Sequence, residues 1–313
     1  MRFATYEQAG EVHAGVVSPA GVHELAGTVL DLVRGGLPVA LDTGAAALAG
    51  PAVPLEDVRL LPPLEPPSVR DFVAFEEHVE GVVASVGDGG GVVPEWYEAP
   101  AFYFTNPCAL VGAHDDVPVP PGSQLFDFEL EVACVVGRDA ESPAPEEVEI
   151  FGYTVLNDWS ARDLQRREMK VNLGPAKGKD SATTLGPWLV TADELESSRD
   201  TDGFLALDMR VSVNGVEIGR DVLSGMGWPF EELVAYAGRG TRVRAGDVLG
   251  SGTCGHGGCL AELWGRRGAL DPPPLRPGDV VEMTVEGIGT IRNTVVPGRT
   301  LPPVRPARPR RIR

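Results

Sequence analysis

Residues 127–136 read Asp127-Phe128-Glu129-Leu130-Glu131-Val132-Ala133-Cys134-Val135-Val136, and their alternation decides the fold class. Side chains of an extended chain point to opposite faces in turn. Asp127, Glu129 and Glu131 therefore share one face, and Phe128, Leu130, Val132 and Cys134 share the other. The β-branched and aromatic content, with Gly137 as a stop, predicts a strand over residues 125–137. Like charges crowded on one face repel, so they need bulk water or a cation between them. Either a solvated strand face or a cation site satisfies that demand.

Similar segments recur outward from this one. Residues 150–157, 205–214 and 279–285 are rich in β-branched or aromatic residues and bounded by Gly, Pro or Asp. Val213-Asn214-Gly215-Val216 carries the Asn-Gly signal of a two-residue hairpin. Arg244-Ala245-Gly246-Asp247 and Arg276-Pro277-Gly278-Asp279 are turns that each precede a hydrophobic run. Beyond the Pro-rich stretch at 62–67, helices are few and expected at 160–170 and 229–237, and the 39 Gly and 28 Pro also favour turns over a helix bundle. The expected class is mainly β, α+β.

Residues 1–60 alternate as short strands separated by Gly turns, with short helical or irregular pieces at 31–39 and 41–48. Pro62, Pro63, Pro66 and Pro67 form a stiff extended connector. The expected organisation is a small N-terminal β-rich domain and linker (1–65), a catalytic domain (66–300) and an Arg/Pro-rich tail (301–313). The Gly-rich stretch 81–94 is expected to be a mobile loop, and the tail, with Arg305, Arg308, Arg310, Arg311 and Arg313, a disordered or surface-pinned end.

A formal charge of −18 over 313 residues argues against nucleic acid, because no basic stripe exists to neutralise phosphates. No apolar run reaches membrane-spanning length, and the N-terminus lacks a signal-peptide pattern. Cys108, Cys134, Cys254 and Cys259 follow no disulfide framework, so a cytoplasmic protein with free thiols is expected. Cys254-Gly255-His256-Gly257-Gly258-Cys259 matches no standard zinc spacing, and its glycines read as turn residues.

Residues 151–163 form a hydrophobic strand that ends at Asn157-Asp158 and enters a helix, with Asp158 or Ser160 as its N-cap and Asp163 in its first turn. An Asp at such a strand end projects into the mouth of the sheet. Joined to Glu129 and Glu131, Asp158 completes an all-oxygen set suited to Mg²⁺, Mn²⁺ or Ca²⁺ rather than Zn²⁺.

Four ordered blocks carry a resemblance. They are Glu129-Leu130-Glu131, the run from Asn157-Asp158 to Gln165, the run from Gly178-Lys179 to Trp188, and Gly250-Ser251-Gly252-Thr253. Together they resemble the fumarylacetoacetate hydrolase family over about residues 66–297. The resemblance implies a mixed β-sandwich roll, usually homodimeric. It also implies a metal held by Glu129, Glu131 and Asp158, with Asp71 as a fourth ligand. By position, His78 matches the histidine that activates water and Glu262 the glutamate that orients it. Arg162, Gln165 and Lys179 match the groups around the developing oxyanion, and Tyr103 and Thr253 match substrate contacts.

The resemblance implies hydrolysis of a C–C bond in a 1,3-diketo acid. It also leaves open an isomerase or decarboxylase of hydroxy-dienoates, or an oxaloacetate decarboxylase. A scaffold that uses the carboxylates structurally is the non-enzyme alternative. Val73 stands where the hydrolase has a substrate tyrosine, and residues 79–97 contain no Arg or Lys to grip a substrate carboxylate. A substrate less anionic at that end is expected. Relatives with a glutamate three residues after the lid histidine typically lack a counterpart of Glu262; here that position is Gly81.

Overall fold

The computed structural model describes residues 1–86 and 91–309, with 83–86 described by backbone alone. Its largest sheet is built around Leu130–Val136, antiparallel to Ile150–Asp158 on one side and to Val248–Gly250 on the other. Ile150–Asp158 pairs with Thr183–Thr191, which in turn pairs with Arg2–Gln8 of the N-terminal unit. On the opposite flank Val248–Gly250 runs parallel to Val69–Phe72, and Phe102–Thr105 forms the edge. A second sheet, in the order Val216–Val222, Asp208–Val213, Val280–Val285, Gly289–Val296 and Val117–Pro118, packs on the first.

The central strand is buried on both faces, which explains its near-continuous apolar run. Val132 and Cys134 meet Met209, Val211, Met283 and Ile291 of the second sheet. Ala133 and Val135 face the other way, against Phe3, Val16, Val29 and Leu32 of the N-terminal unit. Alternation here sorts side chains between two cores rather than between core and water. The fold is sheet-dominated α+β, as expected.

The strand predicted over 125–137 is broken. Phe126–Asp127 pairs with Ser160–Ala161, and the ladder restarts at Leu130. Glu129 between them makes only an isolated bridge to Cys259. The break follows from Asp127, whose buried carboxylate accepts from the backbone N–H groups of Phe128, Leu260 and Ala261 and from Arg162. Bonding to a helix N-terminus competes with strand pairing.

The helix predicted over 160–170 spans Arg162–Met169, capped by Ala161 with no side-chain cap bond. Asp158 remains in its strand, and Ser160 donates to the Asp158 carbonyl, so neither is an N-cap. Residues 81–86, expected in a mobile loop, belong to the helix Glu76–Val86, which packs on Leu260–Arg267. Residues 87–90 of that expectation lie outside the described residues, and Pro94–Tyr97 forms a 3₁₀ turn. The helices Val29–Gly35, Leu37–Ala47 and Phe230–Gly238 stand within two residues of their predicted starts and ends, except that the first ends four residues early and the second starts four residues early.

The Val213–Val216 hairpin forms with Asn214 and Gly215 at φ of 54° and 78°, as an Asn-Gly turn requires. Residues 301–309 are exposed and without secondary structure; Arg310, Arg311 and Arg313 lie outside the described residues. Among the described residues no helix is long and apolar enough to cross a membrane.

Candidate active site

Asp71, Glu129, Glu131 and Asp158 converge from three chain segments to place carboxylate oxygens within 4.8 Å of one another. Asp71 ends the strand parallel to Val248–Gly250, and Asp158 ends the strand beside Glu131. Gly250 lies beneath them: a Cβ there would stand 2.5 Å from Asp71 Oδ1 and 2.9 Å from Glu131 Oε2. All four carboxylates are at most 3% exposed, so water does not separate them and the solvated-face reading fails. Asp71 Oδ1, Glu131 Oε2 and Asp158 Oδ1 have no hydrogen-bond donor. Buried, unpaired, converging anionic oxygens fit a hard divalent cation, which would satisfy all three.

Two buried cations share the site. Lys179 Nζ donates to Glu129 and, at 2.5 Å, to Asp158. Arg162 bridges Asp127 at 2.8 Å and Glu129 at 2.6 Å, and donates to Gln165 Oε1 at 3.2 Å. Tyr103 donates its hydroxyl to Asp158, and Thr253 donates to Glu131 at 3.3 Å. A cavity of about 320 Å³ opens over the cluster, lined by Asp71, His78, Glu129, Arg162, Lys179 and Thr253 among others. That volume suits a small organic acid.

Five buried carboxylates, counting Asp127, thus face two buried cations. Burial raises the Asp158 carboxyl to about 8, and Lys179 only partly offsets it. Burial and the neighbouring Asp71 push Glu131 well above the carboxylate range, and burial also raises Asp71. Burial acts on Glu129 in the same direction, but Arg162 and Lys179 outweigh it and hold that group low.

The sign of the pH dependence follows. A carboxyl near 4 in the unfolded chain and about 8 in the fold binds more protons when folded. The contribution of Asp158 to metal-free stability is therefore fully present below about pH 4 and is lost as pH rises through about 8. Mg²⁺ binding is expected to release at least one proton at pH 6 and progressively fewer above pH 8. Calorimetry in two buffers of different ionisation enthalpy measures this; binding without proton release at pH 6 would refute it.

His78 lies on the helix Glu76–Val86 and is 7% exposed, so it is neither in a loop nor on the surface. Burial depresses its imidazole to about 4, leaving it neutral and able to accept a proton at neutral pH. Its Nδ1 lies 4.0 Å from Glu262 Oε2 and 3.9 Å from Cys259 Sγ. Glu262 is held by Arg266 Nε at 3.0 Å and the Gly257 N–H at 3.3 Å.

Gly81 faces Glu262 across the two helices. A Cβ on Gly81 would come within 2.3 Å of Glu262 Cγ, so a side chain at 81 and a glutamate at 262 compete for one space. Gly81→Ala is expected to reduce turnover about tenfold by displacing Glu262, an amount typical of a misplaced supporting group. The double variant Gly81→Ala/Glu262→Ala should be no slower than Glu262→Ala alone. Multiplying losses in a double-mutant cycle would show that the two positions act separately.

Of the site residues expected from the sequence, Asp71, His78, Tyr103, Glu129, Arg162, Gln165, Lys179 and Thr253 line the cavity, while Glu131 and Asp158 stand in the adjoining carboxylate cluster and Glu262 beside His78. The role of Asp127, which joins Arg162 to the N-terminus of the Glu262 helix, was not foreseen, because the alternation placed it with the cation ligands. Cys259 was also missed as a neighbour of His78. The Cys254–Cys259 zinc spacing does not assemble: His256 is exposed and faces Glu77 and Asp221.

The model for the C-terminal domain of fumarylacetoacetate hydrolase matches residues 68–296. The chain belongs to the fumarylacetoacetate hydrolase family. Residues 1–63 match a second model, the Rv2993c-like N-terminal family. Fumarylacetoacetase of Arabidopsis thaliana is 31% identical over 257 residues, covering 67% of this chain and 61% of that protein. The chain thus spans about three-fifths of the length of that relative. Oxaloacetate tautomerase of Bacillus subtilis is 27% identical over 77% of this chain and 74% of its own. Fumarylacetoacetate hydrolase from Exiguobacterium antarcticum superposes with a TM-score of 0.73 at 25% identity, covering 96% of this chain and all of that one. Family members therefore include both hydrolases and tautomerases.

Proposed function

We propose that this protein is a divalent-cation-dependent hydrolase that cleaves a C–C bond in a 1,3-diketo acid, such as an acylpyruvate. The observation that carries the reading is the buried His78–Glu262 pair standing beside a four-carboxylate cation site in one cavity. A cation bound there supplies Lewis acidity that polarises the dioxo unit and stabilises an enolate leaving group. Mg²⁺ or Mn²⁺ suits the all-oxygen donor set, as does Ca²⁺.

His78, neutral at working pH, takes a proton from water as the hydroxide oxygen adds to the distal carbonyl carbon. Glu262, on the same side as Nδ1, stabilises the imidazolium that results. The C–C bond then breaks, its electron pair passing to the enolate, which collects a proton as the second acid leaves. Arg162 and Lys179 hold fixed positive charge where oxyanion character develops, with Gln165 positioned by Arg162. Tyr103 and Thr253 border the same space and would contact substrate.

Substrate charge is read from the helix Arg162–Met169. Arg162, Arg166 and Lys170 are spaced i, i+4, i+8, so they share one helix face. They line a second cavity of about 400 Å³ that shares Val82, Arg162 and Gln165 with the first and is otherwise apolar. In a chain of net charge −18 such a cationic edge favours an acid.

The test is a product analysis on acylpyruvates, other 1,3-diketo acids, oxaloacetate and hydroxy-dienoates, each with Mg²⁺, Mn²⁺ and Ca²⁺. Hydrolysis yields two acids from one diketo acid. Tautomerisation of oxaloacetate without bond cleavage on any diketo acid would replace this reading with the tautomerase one. Size-exclusion light scattering tests the proposed homodimer.

A further inference from the structure

Cys259 is a buried thiol that the proposed reaction does not use. We propose that His78, Cys259 and Glu129 form a second metal site, selective for a borderline-soft divalent ion such as Zn²⁺ or Cd²⁺. Filling it would silence the neighbouring chemistry.

Three donor atoms, one nitrogen, one sulfur and one oxygen, lie within 4.8 Å of one another, and all three residues are buried. The separation of His78 Nδ1 from Cys259 Sγ is 3.9 Å. In a tetrahedral zinc site with Zn–S near 2.3 Å and Zn–N near 2.0 Å, those atoms stand about 3.6 Å apart. A closure of a few tenths of an ångström along this pair is enough, and the fourth position stays open to water. Cys259 caps the helix Leu260–Arg267, its Sγ accepting from the Glu262 N–H at 3.3 Å. Burial and the Asp127 carboxylate at that helix N-terminus hold the thiol protonated, so the metal itself must supply the charge that ionises it.

The two donor sets differ in kind. Asp71, Glu131 and Asp158 offer only oxygen and suit a hard ion. The His78–Cys259 pair adds nitrogen and sulfur, which prefer Zn²⁺, Cd²⁺ or Co²⁺ over Mg²⁺. Glu129 belongs to both groups, so the sites are adjacent. On binding, the thiol proton passes to solvent and a metal–thiolate bond forms, with no change of oxidation state. Arg162, 2.6 Å from Glu129, opposes the incoming cation and keeps the affinity below that of a closed structural zinc site. The loss of turnover rests on the proposed role of His78, since a ligated imidazole cannot take a proton from water; the metal site itself does not.

The test titrates Co²⁺ or Cd²⁺ into protein already saturated with Mg²⁺ and records near-ultraviolet thiolate-to-metal absorption. A band saturating near one equivalent is expected, removed by Zn²⁺ but not by excess Mg²⁺. Cys259→Ser, which keeps a capping oxygen, should abolish it, and Cys108→Ser should leave it intact. His78→Ala should weaken binding at least tenfold. No band in the wild-type protein, or an unchanged band in Cys259→Ser, overturns the site. With Mg²⁺ in excess, Zn²⁺ should inhibit turnover at a concentration at least tenfold lower in wild type than in Cys259→Ser. Equal sensitivity means displacement of the hard cation and also overturns the proposal. Absence of turnover on every diketo acid would sink the proposed reaction, while the absorption experiment still decides the metal site.

Discussion

Replacing Glu131 with glutamine is expected to stabilise the metal-free protein while abolishing both its response to metal and its turnover. Glu131 is fully buried, its Oε2 has no donor, and the charge that acts on it most strongly is the carboxylate of Asp71. In the metal-free fold these groups repel or must hold protons at a pH where water would ionise them. Glutamine keeps the shape, removes one negative charge and gives Asp71 Oδ1 the donor it lacks. Relief of about 1–2 kcal/mol corresponds to a rise in Tm of roughly 1.5–3 °C in a chain of this size. The same change removes a ligand, so the Mg²⁺-induced rise in Tm should vanish and turnover fall at least ~10³-fold. Thermal denaturation with and without Mg²⁺ separates the two effects. A variant less stable than wild type without metal, yet still stabilised by Mg²⁺, would make Glu131 a packing residue.

His78→Ala should produce a different pattern. Turnover is expected to fall by about 10²–10⁴-fold, the usual contribution of a positioned general base. The rise in Tm on adding Mg²⁺ should be unchanged, because His78 is not among the four converging carboxylates. Alanine is a strong helix former, so Glu76–Val86 should persist. Turnover that survives the substitution would remove His78 from the mechanism and favour the scaffold reading. Since burial holds His78 near 4, its titration cannot explain any loss of activity between pH 8 and 5.5. A loss in that range should instead come from protons competing with the cation for Asp158 and Glu131, and raising Mg²⁺ should reverse it.

The β-rich class was legible because its signals are local. Asn214-Gly215 dictates a left-handed turn, and Val132 to Val136 can hardly be anything but a buried strand. The carboxylates at 129, 131 and 158 were legible as a cluster for a related reason: several carboxylates within a strongly apolar context have few stable environments. Recognition of the ordered blocks added Asp71, Lys179 and Glu262, which no short-range pattern would have joined.

Other features were not legible, and each failure has a physical cause. Glycine richness in residues 81–94 suggested a loop, whereas Gly81 is glycine because two helices approach too closely for a Cβ. Asp127 matched the alternation of Glu129 and Glu131, yet it leaves the strand to bond the N-terminus of the helix Leu260–Arg267. Cys254, His256 and Cys259 are close in sequence, but the backbone turns His256 outward. Cys259 instead meets His78, a residue 181 positions away.

The sequence by itself determined the strand-dominated class and the all-oxygen character of the carboxylate cluster. These depend on composition, period and residue type, which a linear chain displays. Only the tertiary structure decided that the carboxylates are dry, that His78 is buried opposite Glu262, and that a thiol stands beside them. Burial and distance between remote segments are set by how the sheets and helices close on one another, and no local pattern encodes that closure.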